Sequence, residues 1–289
     1  MRVLCLDIGG TYIKFGTLDE SGALVSDGRR PTNAINREGI LESVAGVLSH
    51  AAGFDAVALS CAGVIDSDNG VVLRASGALP LGDGFALKAY VEALTGVPAH
   101  VENDVNCAAL GELWLGAARG ARNCAVIAFG TSIGGALILG GELYRGSRFG
   151  AGEIGHVTLH PGGELCCCGR RGCFSAYAAA SALLERAGDL FERGFSALAA
   201  EDSRAGRAVR DWAREAALGI ACIVHTFDPE RVVLGGAIME LEGAVDIIRP
   251  ELKRALLPSH GDVELCAAAL GNRAALYGAA RALFRARMD

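Results

Sequence analysis

The sequence lacks the features of several classes of protein. No apolar run approaches the roughly 18 residues that a membrane-spanning helix needs. There is no Asn-x-Ser/Thr glycosylation acceptor, and the strand-like start at Met1 indicates no signal peptide. There is also no excess of positive charge, since the formal net charge is −6, which argues against a nucleic-acid partner. We therefore expect a cytoplasmic protein that binds neither nucleic acid nor membranes.

The residues that are present indicate a well-packed globular protein. Hydrophobic residues make up 51% of the 289 residues and charged residues 21%. A chain of this length favours two domains over one large core. The ten cysteines are not expected to form a disulfide framework in a reducing compartment.

A glycine hairpin near the amino terminus is the first candidate for chemistry. An apolar strand ends in Asp7-Ile-Gly-Gly-Thr11, and a second strand-like run follows as far as Leu18. Because glycines let backbone N–H groups approach a bulky anion, this turn can bind phosphate, and Asp7 can hold Mg²⁺ beside it. An ordinary hairpin with a Gly-Gly turn is the alternative. Lys14, in the second strand, is expected to face solvent.

The same pattern recurs further along the chain. Residues 125–129 form another apolar run, which leads through Gly130-Thr131-Ser132 into a strand at 133–139. A third apolar run ends in Gly235-Gly236, where a base or ribose could pack on bare backbone. Because repeated units define architecture, the two hairpins predict a nucleotide held between two related domains.

Apolar patterning predicts alternating strands and helices. The predicted strands are 3–8, 12–18, 23–27, 56–60, 99–102, 124–130, 133–139, 142–145 and 231–235, and the predicted helices are about 37–52, 85–95, 104–118 and 273–287.

Acidic and amide side chains cluster at one predicted strand-to-helix junction, Glu102-Asn-Asp-Val-Asn106. Asn103 is suited to cap the helix, which places Asp104 in the first turn, where the helix dipole favours its ionised form. An ionised carboxylate there could accept the proton of a substrate hydroxyl as that hydroxyl attacks phosphorus. Acidic residues are also common at helix starts for structural reasons alone.

The spacing of four residues predicts a metal site. Cys166, Cys168 and Cys173 surround a glycine-bounded turn, and His156 lies upstream, which suits a closed tetrahedral Cys₃His zinc site. Buried free thiols are the alternative, but arginines beside three consecutive cysteines are unlike a core strand. Cys167 is expected to stay outside the site.

Glu153 and His156 lie in a glycine-rich run just before those cysteines. A carboxylate and an imidazole could bind sugar hydroxyls as acceptor and donor. Zinc on His156 would then fix the tautomer and orientation of its ring. A generic glycine-rich loop is the alternative.

Taken in order, these motifs resemble the ROK family (repressors, open reading frames and sugar kinases). The resemblance spans the whole chain, and its most specific piece is Cys-x-Cys-Gly-x-x-Gly-Cys at 166–173. It implies an α/β, actin-like ATPase (ribonuclease H-like) fold, with two domains around a nucleotide and sugar cleft. The expected domains are residues 1–117 together with a C-terminal helix at about 273–289, and a larger α/β domain at 118–272 with a zinc loop at 156–173.

The resemblance also implies an activity, the ATP-dependent phosphorylation of a hexose or N-acetylhexosamine, usually at the 6-hydroxyl. A glucokinase is the first choice, and an N-acetylmannosamine kinase or another hexose kinase is the alternative. ATP, Mg²⁺ and a structural zinc ion would be bound, and the chain would form a homodimer. By this likeness Asp104 is the base; Asn103, Glu153 and His156 bind sugar; Asp7, Gly9, Gly10, Thr11, Gly130 and Thr131 surround the phosphates and Mg²⁺; Gly235 and Gly236 contact the adenosine; and His156, Cys166, Cys168 and Cys173 hold zinc.

Three positions depart from the family pattern. Ser175 stands where a glutamate usually contacts the sugar, Ser76-Gly77 lies in a loop that often carries asparagine, and Ser132 replaces a common glycine. Ser76 and Ser175 are retained as sugar-binding candidates. Loss of a carboxylate acceptor costs about 1.5–3 kcal/mol unless it is replaced, whereas the phosphate chemistry is expected to survive. Glucose, mannose, N-acetylmannosamine and allose therefore all stay open as substrates.

Two functions without catalysis are the alternatives. A sugar-sensing regulator of this family usually carries a helix-turn-helix extension before the first strand, and here the sequence begins at that strand, so we expect no DNA-binding module. A pseudokinase would bind ATP for recognition only, and Ser175 and Gly77 leave that alternative open.

Overall fold

Two five-stranded sheets with the same strand order organise the protein, whose computed structural model describes residues 1–188 and 194–287. Residues 189–193 of the predicted larger domain and 288–289 of the predicted last helix lie outside the described residues. Two units divide the chain: Met1–Arg119 with Arg145–Ala151 and Arg273–Asp289, and Gly120–Tyr144 with Gly152–Asn272.

The described elements alternate between strands and helices. The strands are β1 (Arg2–Ile8), β2 (Tyr12–Asp19), β3 (Leu24–Pro31), β4 (Ala56–Cys61), β5 (Gly63–Asp66), β6 (Val71–Ala75), β7 (Ala99–Asn103), β8 (Cys124–Phe129), β9 (Ile133–Leu139), β10 (Glu142–Tyr144), β11 (Arg231–Gly235) and β12 (Glu264–Ala267). The α-helices are α1 (Arg37–Leu48), α2 (Leu87–Thr95), α3 (Asp104–Leu115), α4 (Phe174–Ala178), α5 (Ala180–Ala187), α6 (Phe195–Ala200), α7 (Arg204–Phe227), α8 (Ala244–Ala255) and α9 (Ala274–Ala286).

Each sheet combines an antiparallel half with a parallel half. In the first unit the order is β3-β2-β1-β4-β7, where β1 pairs antiparallel with β2 and parallel with β4. In the second unit the order is β10-β9-β8-β11-β12, where β8 pairs antiparallel with β9 and parallel with β11. The two sheets therefore share one topology, and each begins with a hairpin.

The first unit has a hydrophobic core on each face of its sheet. Because successive strand residues point to opposite faces, β1 places Leu4 and Leu6 against α1 and α2, and Val3 and Cys5 against α9. On that second side α3 and α9 pack closely, since a Cβ on Gly278 would strike the Cys107 carbonyl oxygen. Backbone-to-backbone approach of this kind requires glycine, and it fixes α3 on the sheet.

The second unit has its own core around aromatic side chains. Trp212 of α7 packs edge-on against Phe129 and is fully buried, and its Nε1 donates to the Ala178 carbonyl at 2.7 Å. Phe174 of α4 also packs edge-on against Phe129. These contacts bury α7 against the sheet, and burial of such large rings stabilises the unit by several kcal/mol.

The predicted α/β class is confirmed, with local differences. The helix predicted at 37–52 ends at Leu48, after which the hydrogen bonds tighten to the i→i−3 type, as from the His50 N–H to the Val47 carbonyl. The strand predicted at 23–27 extends to Pro31, and the helix predicted at 104–118 ends at Leu115. Within the described ranges, none of the helices combines the length and apolar character that a membrane crossing requires.

Candidate functional site

Asp104 lies where β7 ends and α3 begins. The Asn103 carboxamide oxygen accepts hydrogen bonds from the backbone N–H groups of Val105 at 2.9 Å and Asn106 at 3.0 Å, so the predicted helix cap is confirmed. Asn103 Nδ2 donates to Asp104 Oδ1 at 2.9 Å and to the Gly63 carbonyl at 3.0 Å. Both donors and both acceptor positions of Asn103 are thus used within the protein, and one of them holds Asp104.

The environment of Asp104 makes it a stronger base than an ordinary aspartate. Burial first, and then the negative charge of Asp7, raise the pKa of Asp104 to about 6. The backbone N–H of Val105 donates to Asp104 Oδ1 at 3.0 Å and opposes this rise. The residue is still partly exposed. A reachable carboxylate with this pKa is ionised at neutral pH and can accept a proton.

Asp7 lies one residue before the end of β1 and has two partners. Ser60 Oγ donates to its Oδ1 at 2.7 Å, and Lys14 Nζ lies 3.6 Å from its Oδ2. The prediction that Lys14 faces solvent is therefore wrong. The hairpin register places Lys14 directly opposite Asp7, and this register is the signal that could have revealed the pair.

The predicted phosphate turn of the first unit is tightly hydrogen bonded. The N–H of Gly9 donates to the Tyr12 carbonyl at 3.1 Å, and Thr32 Oγ1 donates to the Gly9 carbonyl at 2.7 Å. Thr11 is exposed at the tip of this turn. The structure thus places Gly9, Gly10 and Thr11 immediately after Asp7.

The loop that follows β6 lies against the same turn. A Cβ on Gly10 would be 3.0 Å from the Ala78 carbonyl oxygen, a tight contact that glycine avoids. Ser76, in this loop, has a buried Oγ without a hydrogen-bond partner in the described part of the chain. A buried hydroxyl of this kind can be satisfied by a ligand.

The turn between β8 and β9 is held by the start of α5. Ser181 Oγ donates to the Thr131 carbonyl at 2.7 Å, and the N–H of Ala180 donates to the Gly130 carbonyl at 2.9 Å. The N–H of Gly130 donates to the Ser132 carbonyl at 3.0 Å. Gly130 and Thr131 therefore form a fixed turn with few side-chain atoms.

A largely apolar cavity of about 230 Å³ opens beside this second turn. Its walls come from α5 and from the single-turn helix Ala237–Glu240, and include Ala180, Leu184 and Ile238. Sequence reasoning missed these wall residues, because the only local signal was the glycine pair Gly235-Gly236 that precedes Ala237.

The fold requires glycine at only one of these two positions. Gly236 has a φ of 99°, and a Cβ there would strike the Phe129 carbonyl oxygen. A Cβ on Gly235 would meet only the Ala268 Cβ, at 3.6 Å, which is an ordinary contact. Gly236 is therefore fixed by the fold, whereas Gly235 leaves room that another side chain could occupy.

The structure brings together the four predicted metal ligands. One nitrogen or sulfur atom from each of His156, Cys166, Cys168 and Cys173 lies within 4.8 Å of the others. Cys168 Sγ and Cys173 Sγ are 3.7 Å apart, and His156 Nδ1 is 3.7 Å from Cys166 Sγ. The backbone N–H of Arg170 lowers the pKa of Cys168 to about 6, which favours the thiolate that a metal needs.

The two ring nitrogens of His156 face different groups. Nδ1 faces Cys166, whereas Nε2 lies 3.9 Å from Glu153 Oε2. The Glu153 side chain is 59% exposed. A His156 that gives Nδ1 to a metal thus keeps Nε2–H as a donor beside an accessible carboxylate.

Ser175 is turned towards the protein interior. It is 5% exposed, and its Oγ accepts from the Ile133 N–H at 3.0 Å and lies 3.1 Å from Ser132 Oγ. These contacts hold the turn between β8 and β9. Its predicted sugar contact stays a prediction.

Comparison with known proteins places these features in a family context. The sequence model of the ROK family matches residues 3–286. A glucokinase of Streptomyces coelicolor is 36% identical over an alignment of 307 positions, gaps included, that covers 95% of each chain. The crystal structure of a ROK hexokinase from Thermus thermophilus is 35% identical, with a TM-score of 0.84 over 100% of both chains. A ROK family glucokinase from Streptomyces griseus, in complex with glucose and AMPPNP, is 32% identical, with a TM-score of 0.85 over 97% of this chain and 98% of that chain.

Proposed function

This chain belongs to the ROK family and is an ATP-dependent sugar kinase with the actin-like ATPase fold, and from that premise we propose that Asp104 is its general base. The observation that supports this role is a partly exposed carboxylate, held by Asn103 at a helix start, whose pKa is about 6. The sugar hydroxyl would lose its proton to Asp104 as its oxygen attacks the γ-phosphorus. The bond from phosphorus to the bridging oxygen of ADP breaks in the same in-line transfer.

Asp7 is the residue of the first unit that we propose for Mg²⁺. Its carboxylate is oriented by Ser60 and lies near Lys14, and carboxylate oxygens are the ligands that Mg²⁺ prefers. When bound, Mg²⁺ would neutralise charge on the phosphates. The N–H group of Gly10 and the hydroxyl of Thr11 would then contact phosphate oxygens beside Asp7, and Gly9 would let the phosphate approach the turn closely.

The second unit is proposed to bind the rest of the nucleotide. Gly130 and Thr131 offer a fixed, nearly side-chain-free turn, and the adjoining cavity of about 230 Å³ suits an aromatic base. Gly235 and Gly236 would let the adenosine lie against the backbone. This assignment gives the purine an apolar site within the second unit.

For the sugar we propose Glu153, His156 and Ser76, together with Asn103, whose Nδ2 would exchange its contact with Gly63 or Asp104 for one with the sugar. Glu153 is accessible as a hydrogen-bond acceptor, His156 Nε2 as a donor, and Ser76 Oγ as an unpartnered hydroxyl. Glucose is the proposed substrate because two of the three named relatives are glucokinases, one of them with glucose bound. N-acetylmannosamine and other hexoses are the competitors that the following assay compares.

A coupled assay of ADP release over a panel of hexoses and N-acetylhexosamines tests the activity, and ³¹P NMR of the product identifies the phosphorylated hydroxyl. We expect glucose to give the highest kcat/KM and a 6-phosphate. Sugar binding without ADP release from any sugar would instead indicate a pseudokinase or a sugar sensor.

Zinc is the metal that we propose for the Cys₃His cluster. Three thiols and an imidazole nitrogen form a donor set that suits tetrahedral, structural Zn²⁺, which would hold His156 and the loop around it. Metal analysis should find about one zinc per chain. Cys168→Ser should lose it, whereas Cys167→Ser, which changes the neighbouring cysteine outside the cluster, should keep it. Absence of zinc from the wild-type protein would contradict this assignment.

The assembly that we propose is a homodimer. Size-exclusion chromatography with light scattering should give twice the 29.8 kDa mass of the chain, and a monomer mass would contradict it.

A further inference from the structure

A buried ion pair lies immediately before the proposed base. Glu102, the residue before Asn103, is fully buried, and its Oε2 accepts a hydrogen bond from Arg145 Nε at 2.7 Å. Arg145 is the first residue of Arg145–Ala151, the short segment of the first unit that lies between β10 and the glycine-rich run. Burial of a carboxylate costs free energy of folding unless the carboxylate is paired, so Glu102 depends on Arg145.

The second carboxylate oxygen of Glu102 accepts hydrogen bonds from two residues of the junction. Oε1 accepts from the backbone N–H of Asn103 at 2.8 Å and from Asn106 Nδ2 at 3.0 Å. These two residues flank Asp104, one on the strand side and one in the first helical turn. Glu102 therefore holds both sides of the junction that carries the base.

Three carboxylates lie near this junction, and Arg145 offsets the charge of one of them. Glu102, Asp7 and Asp104 all act on the same buried thiol, Cys107, whose pKa is raised first by burial and then by these three carboxylates. Lys14 lies beside Asp7, and Arg145 lies beside Glu102. Without Arg145, the carboxylate of Glu102 would be buried next to the base without this positive charge.

We propose that Glu102 and Arg145 are positioning residues for Asp104. Glu102 fixes the strand-to-helix junction through the hydrogen bonds of its Oε1. Arg145 neutralises Glu102, so these hydrogen bonds add no net negative charge beside the base. This inference rests on the proposed role of Asp104 as base. It assigns to neither residue a contact with sugar or nucleotide.

A double-mutant cycle tests the pair. Arg145→Met should lower kcat about 100-fold, because displacement of a catalytic group by about 1 Å has an effect of that size, with KM for ATP changed less than about threefold. Glu102→Gln/Arg145→Met should recover at least about tenfold of that loss, because the glutamine oxygen still accepts from Asn103 and Asn106 without a charge. Glu102→Gln alone completes the cycle. Arg145→Lys keeps the charge, so its kcat should stay within about tenfold of wild type, and a loss as large as that of Arg145→Met would overturn the inference.

Arg231→Met is the matched control. Arg231 is similarly buried, with a side chain 23% exposed against 32% for Arg145, and it pairs at 2.7 Å with Glu264 in the second unit. The control is matched for the arginine only, since Glu264 is 54% exposed and Glu102 is 1% exposed. Its loss should leave kcat within about twofold, as expected for an ion pair outside the site.

Hydrogen–deuterium exchange gives a readout that does not depend on activity. Exchange in the peptide that contains Asn103 should rise at least about fivefold in Arg145→Met and stay unchanged in Arg231→Met, because opening of the Glu102 contact frees the Asn103 N–H. Unchanged exchange, or a double variant no more active than Arg145→Met, would overturn the inference. A wild-type protein without kinase activity would overturn the proposed function instead, and the exchange experiment would still decide whether the pair holds this junction.

Discussion

The two hairpin sheets share one topology but carry opposite chemistry along the same row of residues. In the first sheet this row crosses four strands and reads Lys14, Asp7, Ser60 and Glu102. In the second sheet the equivalent row reads Gly134, Ala128 and Gly235. The first row thus carries two carboxylates, an amine and a hydroxyl, and the second carries no side chain larger than a methyl group.

This difference shows how one scaffold can serve two tasks. Side chains at the strand ends of the first sheet supply charge, and they surround the start of α3 and Asp104. The equivalent row of the second sheet has no such side chains, so its backbone is exposed to a ligand, and a cavity of about 230 Å³ lies beside it. Substitutions in the first unit should therefore affect the chemical step, and substitutions in the second row should affect nucleotide affinity.

Asp104→Asn would have the largest effect. The amide cannot accept the proton, so kcat should fall about 10³-fold, whereas the glucose dissociation constant measured by isothermal titration calorimetry should change less than about threefold. A variant within about tenfold of the wild-type kcat would show that the first unit does not supply the base.

Asp7→Asn should have the next largest effect. Asparagine can still accept the hydrogen bond from Ser60 but loses the negative charge, so kcat should fall about 100-fold and the Mg²⁺ concentration for half-maximal rate should rise. The Mg²⁺ dependence of ADP release measures both. An unchanged Mg²⁺ dependence would remove Asp7 from the proposed metal site.

Gly235→Ala tests the second row with a single methyl group. The new Cβ makes only an ordinary contact within the protein, so the variant should fold normally, but KM for ATP should rise about tenfold because the methyl occupies space proposed for the nucleotide. Gly261→Ala is the matched control, since its Cβ would also meet its nearest neighbour at an ordinary distance, 3.5 Å, and its KM should not change. Equal KM values in both variants would contradict a nucleotide role for this row.

Gly278→Ala should have the smallest effect on turnover per folded molecule and a clear effect on stability. The methyl would strike the Cys107 carbonyl and force α9 away from α3, so the free energy of unfolding should fall by about 2 kcal/mol. Urea denaturation measures this change, and kcat at a temperature well below the transition should stay within about threefold. A urea midpoint equal to that of the wild-type protein would show that α3 and α9 can separate without loss of stability.

Much of the first unit could be predicted from the sequence because its signals are local. Apolar runs that end in glycine or aspartate predicted the bounds of the hairpin strands to within a residue or two. Asn103 before Asp104 predicted the helix cap. The cysteine spacing likewise predicted which four residues come together. Each of these features depends on residues close together in the chain.

Features that depend on distant residues could not be predicted in the same way. The Glu102–Arg145 pair joins residues 43 positions apart, and no pattern around either residue points to the other. The cavity walls at Leu184 and Ile238 likewise come from separate helices. The short strands β5, β6 and β12 were missed because four or five residues carry too little periodicity.

The pH dependence of the rate at subsaturating sugar and subsaturating Mg²⁺–ATP, which reports the pKa of the enzyme before Mg²⁺ and ATP bind, tests the role of Asp104 most directly. Burial and Asp7 raise the pKa of Asp104 to about 6, so the ionised base is lost as the pH falls through that value. The account predicts an acid limb centred near pH 6 that moves to lower pH in Asp7→Asn. A rate that stays constant down to pH 5, or a limb that Asp7→Asn leaves in place, would contradict it.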